Sequence, residues 1–151
     1  MLRIITVGSI KEKYLKEAIE EYKKRLSKYT NLEIVELKDE GKVEEDKAKD
    51  LEGEKILNKI NDKDYVITLE IEGKELTSIE LANKINKVLI ENSNITFIIG
   101  GSYGLSNRII ERSNYHLSFS KMTFPHQLFR VLLLEQIYRA YKIINNEKYH
   151  K

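Results

Sequence analysis

Cysteine is absent from this chain. Its absence excludes disulfides, cysteine-ligated zinc, iron–sulfur clusters and thiolate nucleophiles together, and fits a reducing compartment. Tryptophan is absent too, and proline occurs once, at Pro125. Long apolar runs are missing. The longest uninterrupted aliphatic stretch is Val131–Leu134, far short of the roughly 18 residues that a membrane span needs. Leu2–Val7 is apolar but short and broken by Arg3, so it reads as a first strand and not as the core of a signal peptide. There are 3 histidines, no two with metal-ligand spacing, so no metal is expected. A surplus of one charge is also missing: 26 basic against 24 acidic residues leave a net charge of +2. That is too little to announce nucleic-acid binding by itself. The chain reads as cytoplasmic, with no membrane partner.

The 151 residues make one domain, 1–151, at roughly 150 residues per domain. A chain of this length buries about 68–70% of its unfolded surface and needs no covalent staples. Hydrophobic residues are 41% and charged residues 33%, which suits a globular protein. The weak net charge hides an uneven distribution. From Lys11 to Lys28 there are seven basic and four acidic residues, and from Lys121 to Lys151 six basic and two acidic. Asp39–Lys55 holds eight acidic and four basic residues. A basic first helix and a basic C-terminal third are what a nucleic-acid surface requires.

Apolar spacing sets out the elements. Leu2–Val7 reads as a strand that ends at Gly8. Leu15, Ala18, Ile19, Tyr22, Leu26 and Tyr29 line one face of a helix over Tyr14–Tyr29. Leu32–Leu37 reads as a fully buried strand. Asp39–Lys55 reads as a mobile, solvated loop passing into a helix near Leu51–Ile60. Tyr65–Ile71 is a third strand, followed by a turn at Glu72-Gly73-Lys74. Thr77-Ser78-Ile79-Glu80 has the spacing of a capping box and opens a helix to about Ile90. Ile95–Ile99 is a fourth strand, Asn107–Arg112 a short helix, Tyr115–Ser120 a fifth strand. Pro125 starts a last helix to about Asn145. Alternation of strand and helix means an α/β protein with a mainly parallel sheet. Ligands in such sheets sit beyond the carboxyl ends of the strands.

Two loops there stand out. Gly100-Gly101-Ser102-Tyr103-Gly104 follows an apolar strand, and its glycines would let a backbone approach a ligand. The pattern is neither the dinucleotide G-x-G-x-x-G nor a Walker A loop, and an ordinary strand-to-helix turn would look the same. Phe119-Ser120-Lys121-Met122-Thr123-Phe124-Pro125 leads into a helix N-terminus whose free N–H groups can hold an anion. A plain helix cap with Met122 and Phe124 in the core is the alternative. The last helix is apolar over more than one stripe, so a partner copy is expected against it. Arg130 and Arg139 read either as surface ion-pair partners or, in one case, as a phosphate contact. His116 reads as structural and His126 as cap or packing. His150, in Tyr149-His150-Lys151, reads as a frayed end or as a working group carried to another surface.

Taken together, Tyr65–Glu70, Ile98–Gly104, Leu117–Gln127, Glu135–Ala140 and Tyr149-His150-Lys151 resemble the ribosomal RNA large-subunit methyltransferase H family, of the SPOUT class. The resemblance covers nearly the whole chain and is weakest in Asp39–Lys55. It implies a SPOUT-type sheet flanked by helices, with a C-terminal deep trefoil knot that spacing alone would never suggest. It implies a homodimer that uses S-adenosylmethionine to methylate N3 of pseudouridine 1915 in helix 69 of 23S rRNA, within the assembled ribosome. The cofactor would lie against Leu69, Gly100 and the run Phe119, Ser120, Lys121, Met122, Thr123 and Phe124. His150, Tyr149 and Arg139 would complete the active site, across the dimer interface. Two other classes compete: a small-molecule enzyme on a Rossmann or flavodoxin-like fold, and a non-catalytic RNA- or ribosome-binding module.

Overall fold

Strand and helix alternate from end to end in a computed structural model that describes residues 1–151. The elements are β1 (Leu2–Val7), α1 (Lys13–Leu26), β2 (Leu32–Leu37), α2 (Glu45–Leu57), β3 (Tyr65–Glu75), α3 (Ser78–Glu91), β4 (Ile95–Ile99), α4 (Asn107–Arg112), β5 (Tyr115–Ser118) and α5 (His126–Ile144). They form one five-stranded sheet in the order β2-β1-β4-β3-β5. Every neighbouring pair is parallel. Successive side chains on a strand point to opposite faces, and the strands use both. Ile4, Ile67 and Phe97 pack with α1, α3 and α5. Ile5, Val66 and Ile98 pack with α2 and α4. Helices therefore cover both faces, as a parallel sheet requires. No helix is long and apolar enough to cross a membrane.

Several local readings need correction. β2 is an edge strand and not a fully buried one: Glu33 and Glu36 are exposed. Their carboxylates instead reach Arg3 and Arg130. α1 stops at Leu26, because Tyr29 turns inward to stack on Tyr141 at 5.7 Å. The acidic stretch is not a solvated loop up to Leu51. α2 begins at Glu45, where Glu45 and Asp46 favour the positive end of the helix dipole. Ala48, Glu52 and Ile56, each four residues apart, are buried, and Glu52 Oε2 accepts the Glu40 N–H at 2.9 Å. Finally, β3 does not turn at Glu72-Gly73-Lys74. Its register slips between Leu69 and Lys74, and Lys74 and Glu75 rejoin β5 opposite Leu117 and Ser118. Gly73 makes this possible, since a Cβ there would lie 2.8 Å from the Leu117 backbone and 2.9 Å from that of His116.

β5 ends at Ser118, two residues earlier than its pattern suggests, and the chain then crosses the carboxyl ends of the strands. α5 packs against both α1 and α3. Its first turn reaches the β1–α1 loop, where Gln127 accepts the Lys11 N–H at 3.0 Å.

The capping box at α3 forms as expected. Thr77 Oγ1 accepts the Glu80 N–H at 3.1 Å, and Glu80 accepts the Thr77 N–H at 2.9 Å. These bonds hold the Glu80 carboxyl below the usual carboxylate range. Its contribution is thus fully present above that range and is lost as pH falls through the lowered value. Thr77→Ala should lower stability by about 1 kcal/mol at pH 7. Urea titrations at falling pH should show the gap to the unaltered chain narrowing in acid.

Candidate cofactor and nucleic-acid site

A parallel sheet brings all its carboxyl ends to one edge, and both unusual loops lie there. The loop after β4 folds back on itself. Gly104 has φ +83° and its N–H donates to the Gly101 carbonyl at 3.0 Å. A Cβ on Gly100 would sit 2.9 Å from the Gly104 carbonyl group and 3.0 Å from Leu105 Cδ2. The missing side chain at Gly100 therefore makes room for the loop's own backbone, where the sequence suggested a cleared path for a ligand. The loop after β5 is held by serine hydroxyls and aromatic rings. Ser118 Oγ donates to the Ser120 carbonyl, and Ser120 Oγ accepts the Met122 N–H, both at 3.0 Å. Phe119 and Phe124 pack on Phe129 of α5 at 4.9 and 5.9 Å between ring centroids.

Between these loops and the end of β3 lies a cavity of about 490 Å³, a size that suits a small-molecule ligand. Leu69, Gly100, Phe119, Ser120, Met122, Thr123 and Phe124 all line it. Lys121 does not: it is exposed and outside the lining. Exposed His126, in the first turn of α5, is at the wall rather than only in the cap.

Residues not singled out in the sequence also belong here. Glu70 and Glu72 line the cavity, and no lysine or arginine does. Glu70 Oε2 is held by Thr68 Oγ1 and by His116 Nδ1, and Thr68 Oγ1 is 2.8 Å from Ser113 Oγ. The parallel register places Thr68 against His116. The available signal was two polar residues, Thr68 and Glu70, on one face of an otherwise apolar strand.

The C-terminal residues come together with one another but not with the cavity. Arg139 pairs with Glu135, its Nη1 lies 3.2 Å from His150 Nδ1, and its guanidinium lies 4.7 Å above the Tyr149 ring. The Glu135 hydrogen bonds push the Arg139 guanidinium further up. Tyr149 also packs edge-on against Tyr138 at 5.0 Å. From Phe129 at the cavity to Arg139 there are ten residues of α5, about 15 Å of helix rise.

Arg130 is neither a surface ion-pair partner nor a phosphate contact. It is 2% exposed, paired with Glu36 and donating to Thr6 Oγ1 at 3.0 Å and the Gly8 carbonyl at 3.2 Å. It pins α5 to the ends of β1 and β2.

The basic first helix meets the tail. Tyr22 packs on Tyr138 at 6.2 Å, and Arg25 lies over both rings at 5.3 and 5.5 Å. Burial, with the nearby Tyr149 and Glu135, pushes the Tyr22 hydroxyl above its ordinary value. Cations and aromatic rings thus alternate across one surface. No group of three or more histidine, aspartate or glutamate side chains is arranged to hold a metal ion.

The family described as "Predicted SPOUT methyltransferase" matches residues 1–150. The chain belongs to the SPOUT methyltransferases. Its relatives named ribosomal RNA large subunit methyltransferase H include proteins from Clostridium tetani, 57% identical, and Clostridium botulinum, 59% identical, with 99% of both chains covered in each case. A solved structure, of a probable methylase family protein from Haemophilus influenzae Rd KW20, matches 99% of this chain and 70% of its own. Its TM-score is 0.59 at 19% identity, so it supports the fold alone.

In this SPOUT methyltransferase the glycine loop should tolerate no side chain at its first position. Gly100→Ala should destabilise by about 1–3 kcal/mol, the usual range for overpacking. The midpoint of urea unfolding measures it, and an unchanged midpoint would show that the loop can open freely.

Proposed function

We propose that the chain is an S-adenosylmethionine-dependent methyltransferase of large-subunit ribosomal RNA, specific for N3 of pseudouridine 1915 in helix 69 of the assembled ribosome. It would act in the cytoplasm as a homodimer with one SPOUT domain per copy. The observation that carries the reading is the cavity between the Gly100–Gly104 loop and the Phe119–Phe124 loop, in a chain of this family.

The cavity fits the cofactor on its own chemistry. Leu69, Leu117, Phe119 and Phe124 offer apolar walls to a purine, and the folded-back glycine loop offers backbone polar groups at its edge. Lys121 is left out of the side-chain contacts. When bound, the cofactor supplies a methyl carbon on cationic sulfur: that carbon–sulfur bond breaks as the carbon–nitrogen bond forms. The N3 proton must leave, which calls for a base or a group that stabilises the nucleobase anion. The chain's part is mainly to hold nucleophile and methyl in line.

His150 is proposed as proton acceptor, Tyr149 as a stacking platform worth about 1–3 kcal/mol, and Arg139 as stabiliser of the anion or a phosphate. The span of α5 that separates them from their own cavity means they would serve the partner's. Leu128, Leu132, Glu135 and Arg139 follow helical spacing along the outward side of α5, with Leu128 exposed and Leu132 half-buried. This stripe is the proposed two-fold contact, and it joins the cavity end of α5 to the tail. A C-terminal deep trefoil knot is part of the same proposal. Basic residues of α1 and of the C-terminal third would hold RNA phosphates.

The direct test is tritiated methyl transfer to ribosomes from a strain lacking the modification, with free rRNA alongside. Methylation of ribosomes supports the reading, and cofactor binding without transfer to either substrate would leave only a binding module. Light scattering at micromolar concentration should give twice the chain mass. Deleting Tyr149–Lys151 should preserve that dimer and its cofactor affinity while transfer collapses. A truncated dimer that methylates at the full rate would remove the tail from catalysis.

Reversing Lys23 and Lys24 to glutamate should weaken ribosome binding and flatten its salt dependence by roughly one unit of slope per lost phosphate contact. Equal ribosome affinity in the double variant would move the RNA to another face.

A further inference from the structure

The charged groups at the cavity are all of one sign. Glu70 and Glu72 line it, with His126 as the one other titratable group besides the Tyr103 phenol, and no lysine or arginine takes part. Lys121, the cation of the adjoining loop, is exposed and outside the lining. Glu72 is exposed and its field is screened by water. Glu70 is different. Its side chain is 17% exposed, and it is fixed from behind by fully buried Thr68 and by His116 of β5. Those bonds use Oε2 and leave Oε1 without a partner in the chain. A fixed, half-dry carboxylate acts on charge in the cavity far more strongly than a solvated one.

From this, and resting on the cofactor reading above, we infer that Glu70 makes the cavity select its ligand by charge, favouring the cationic sulfonium of S-adenosylmethionine over the neutral thioether of S-adenosylhomocysteine. The two ligands share adenine, ribose and amino-acid groups, so only the charge and the methyl at sulfur separate them. A carboxylate in the wall acts on the first. It would help the spent product leave, because loss of the methyl also removes the charge that Glu70 attracts. Thr68, fully buried on the same strand, is the positioning residue, and His116 adds a second contact to the same oxygen.

Isothermal calorimetry at one fixed pH tests this with three ligands: S-adenosylmethionine, S-adenosylhomocysteine, and sinefungin, in which an amine-bearing carbon replaces the methyl-bearing sulfur. The unaltered chain should bind both cationic ligands roughly tenfold more tightly than the thioether, about 1.4 kcal/mol. Sinefungin siding with the thioether would assign the preference to the methyl and overturn the inference. Glu70→Gln keeps the size and an acceptor for Thr68 but loses the charge. It should bring the three affinities together by weakening the cationic pair alone. Equal weakening of all three would make Glu70 a shape element, and no weakening would make it a bystander. Both results overturn the inference. His116→Gln retains the carboxylate and should retain the preference. Loss of preference in that variant as well would transfer the effect to the imidazole. If the unaltered chain binds none of the three, the cofactor reading itself fails, a result distinct from binding without preference.

Discussion

Parallel pairing of every strand is the constraint on which the rest of this molecule depends. Parallel neighbours cannot be joined by tight turns, so each strand must be followed by a crossover that lies on one face. Here α1 and α3 take one face, α2 and α4 the other, and α5 returns to the first. Both faces are thereby dry, and the strands can be apolar on both sides, with Phe97, Ile98 and Ile67 fully buried. The same constraint collects the strand ends at a single edge. The Gly100–Gly104 loop, the end of β3 and the Phe119–Phe124 loop are distant in sequence, yet a cavity forms among them because three parallel strands stop side by side.

Two further contacts give that edge its shape. Gly73 lets β3 lie on the backbone of β5 after the register slip, so β3 lines the cavity with Leu69–Glu72 and then rejoins the sheet. Arg130 fixes the opposite side. Buried among Glu36, Thr6 and Gly8, it sets where α5 begins, and so where the loop leading into α5 must run. An isolated buried guanidinium would be heavily penalised. Glu36 can meet it only because β2 is an edge strand with that side chain reachable. An exposed edge position and an ordered cavity wall are in this way parts of one arrangement.

The C-terminal end of α5 is built on another principle. Tyr22, Tyr29, Tyr138, Tyr141 and Tyr149 pack around one another, and Arg25, Arg139 and Lys142 lie over their rings. Glu147 holds Lys142 and draws its ammonium up, while its own carboxyl is held below the usual range. Charge and aromatic surface are thus kept together on the side where α1 carries its lysines. The stiffness of α5 keeps this cluster away from the cavity of the same copy. Under the proposed function, two-fold pairing along α5 would let both ends of the helix contribute to one reaction.

Much of this was legible from residue order. The alternation of strands and helices was legible throughout, though α2 starts six residues before its reading; the Thr77–Glu80 box fixed the start of α3, and the match at Leu117–Gln127 and the terminal tripeptide pointed to the family. These features are local, and local periodicity records which face of an element is dry. What escaped depended on neighbours distant in the chain. Glu52 reads as one acid among many until α2 packs and buries it. β2 looks like a central strand because its apolar content carries no information about sheet position. Glu72-Gly73-Lys74 has turn composition, but the β5 backbone beneath it makes it a slipped extension of β3. Glu70 and His116 are 46 residues apart and meet only because β3 and β5 pair in parallel. Residue order carried the alternation of strand and helix, the two special loops and the family. Which side chains face the cavity, that Lys121 is not one of them, and that the tail packs about ten helical residues from it were settled only by the fold, because each depends on strand order and register that no local pattern encodes.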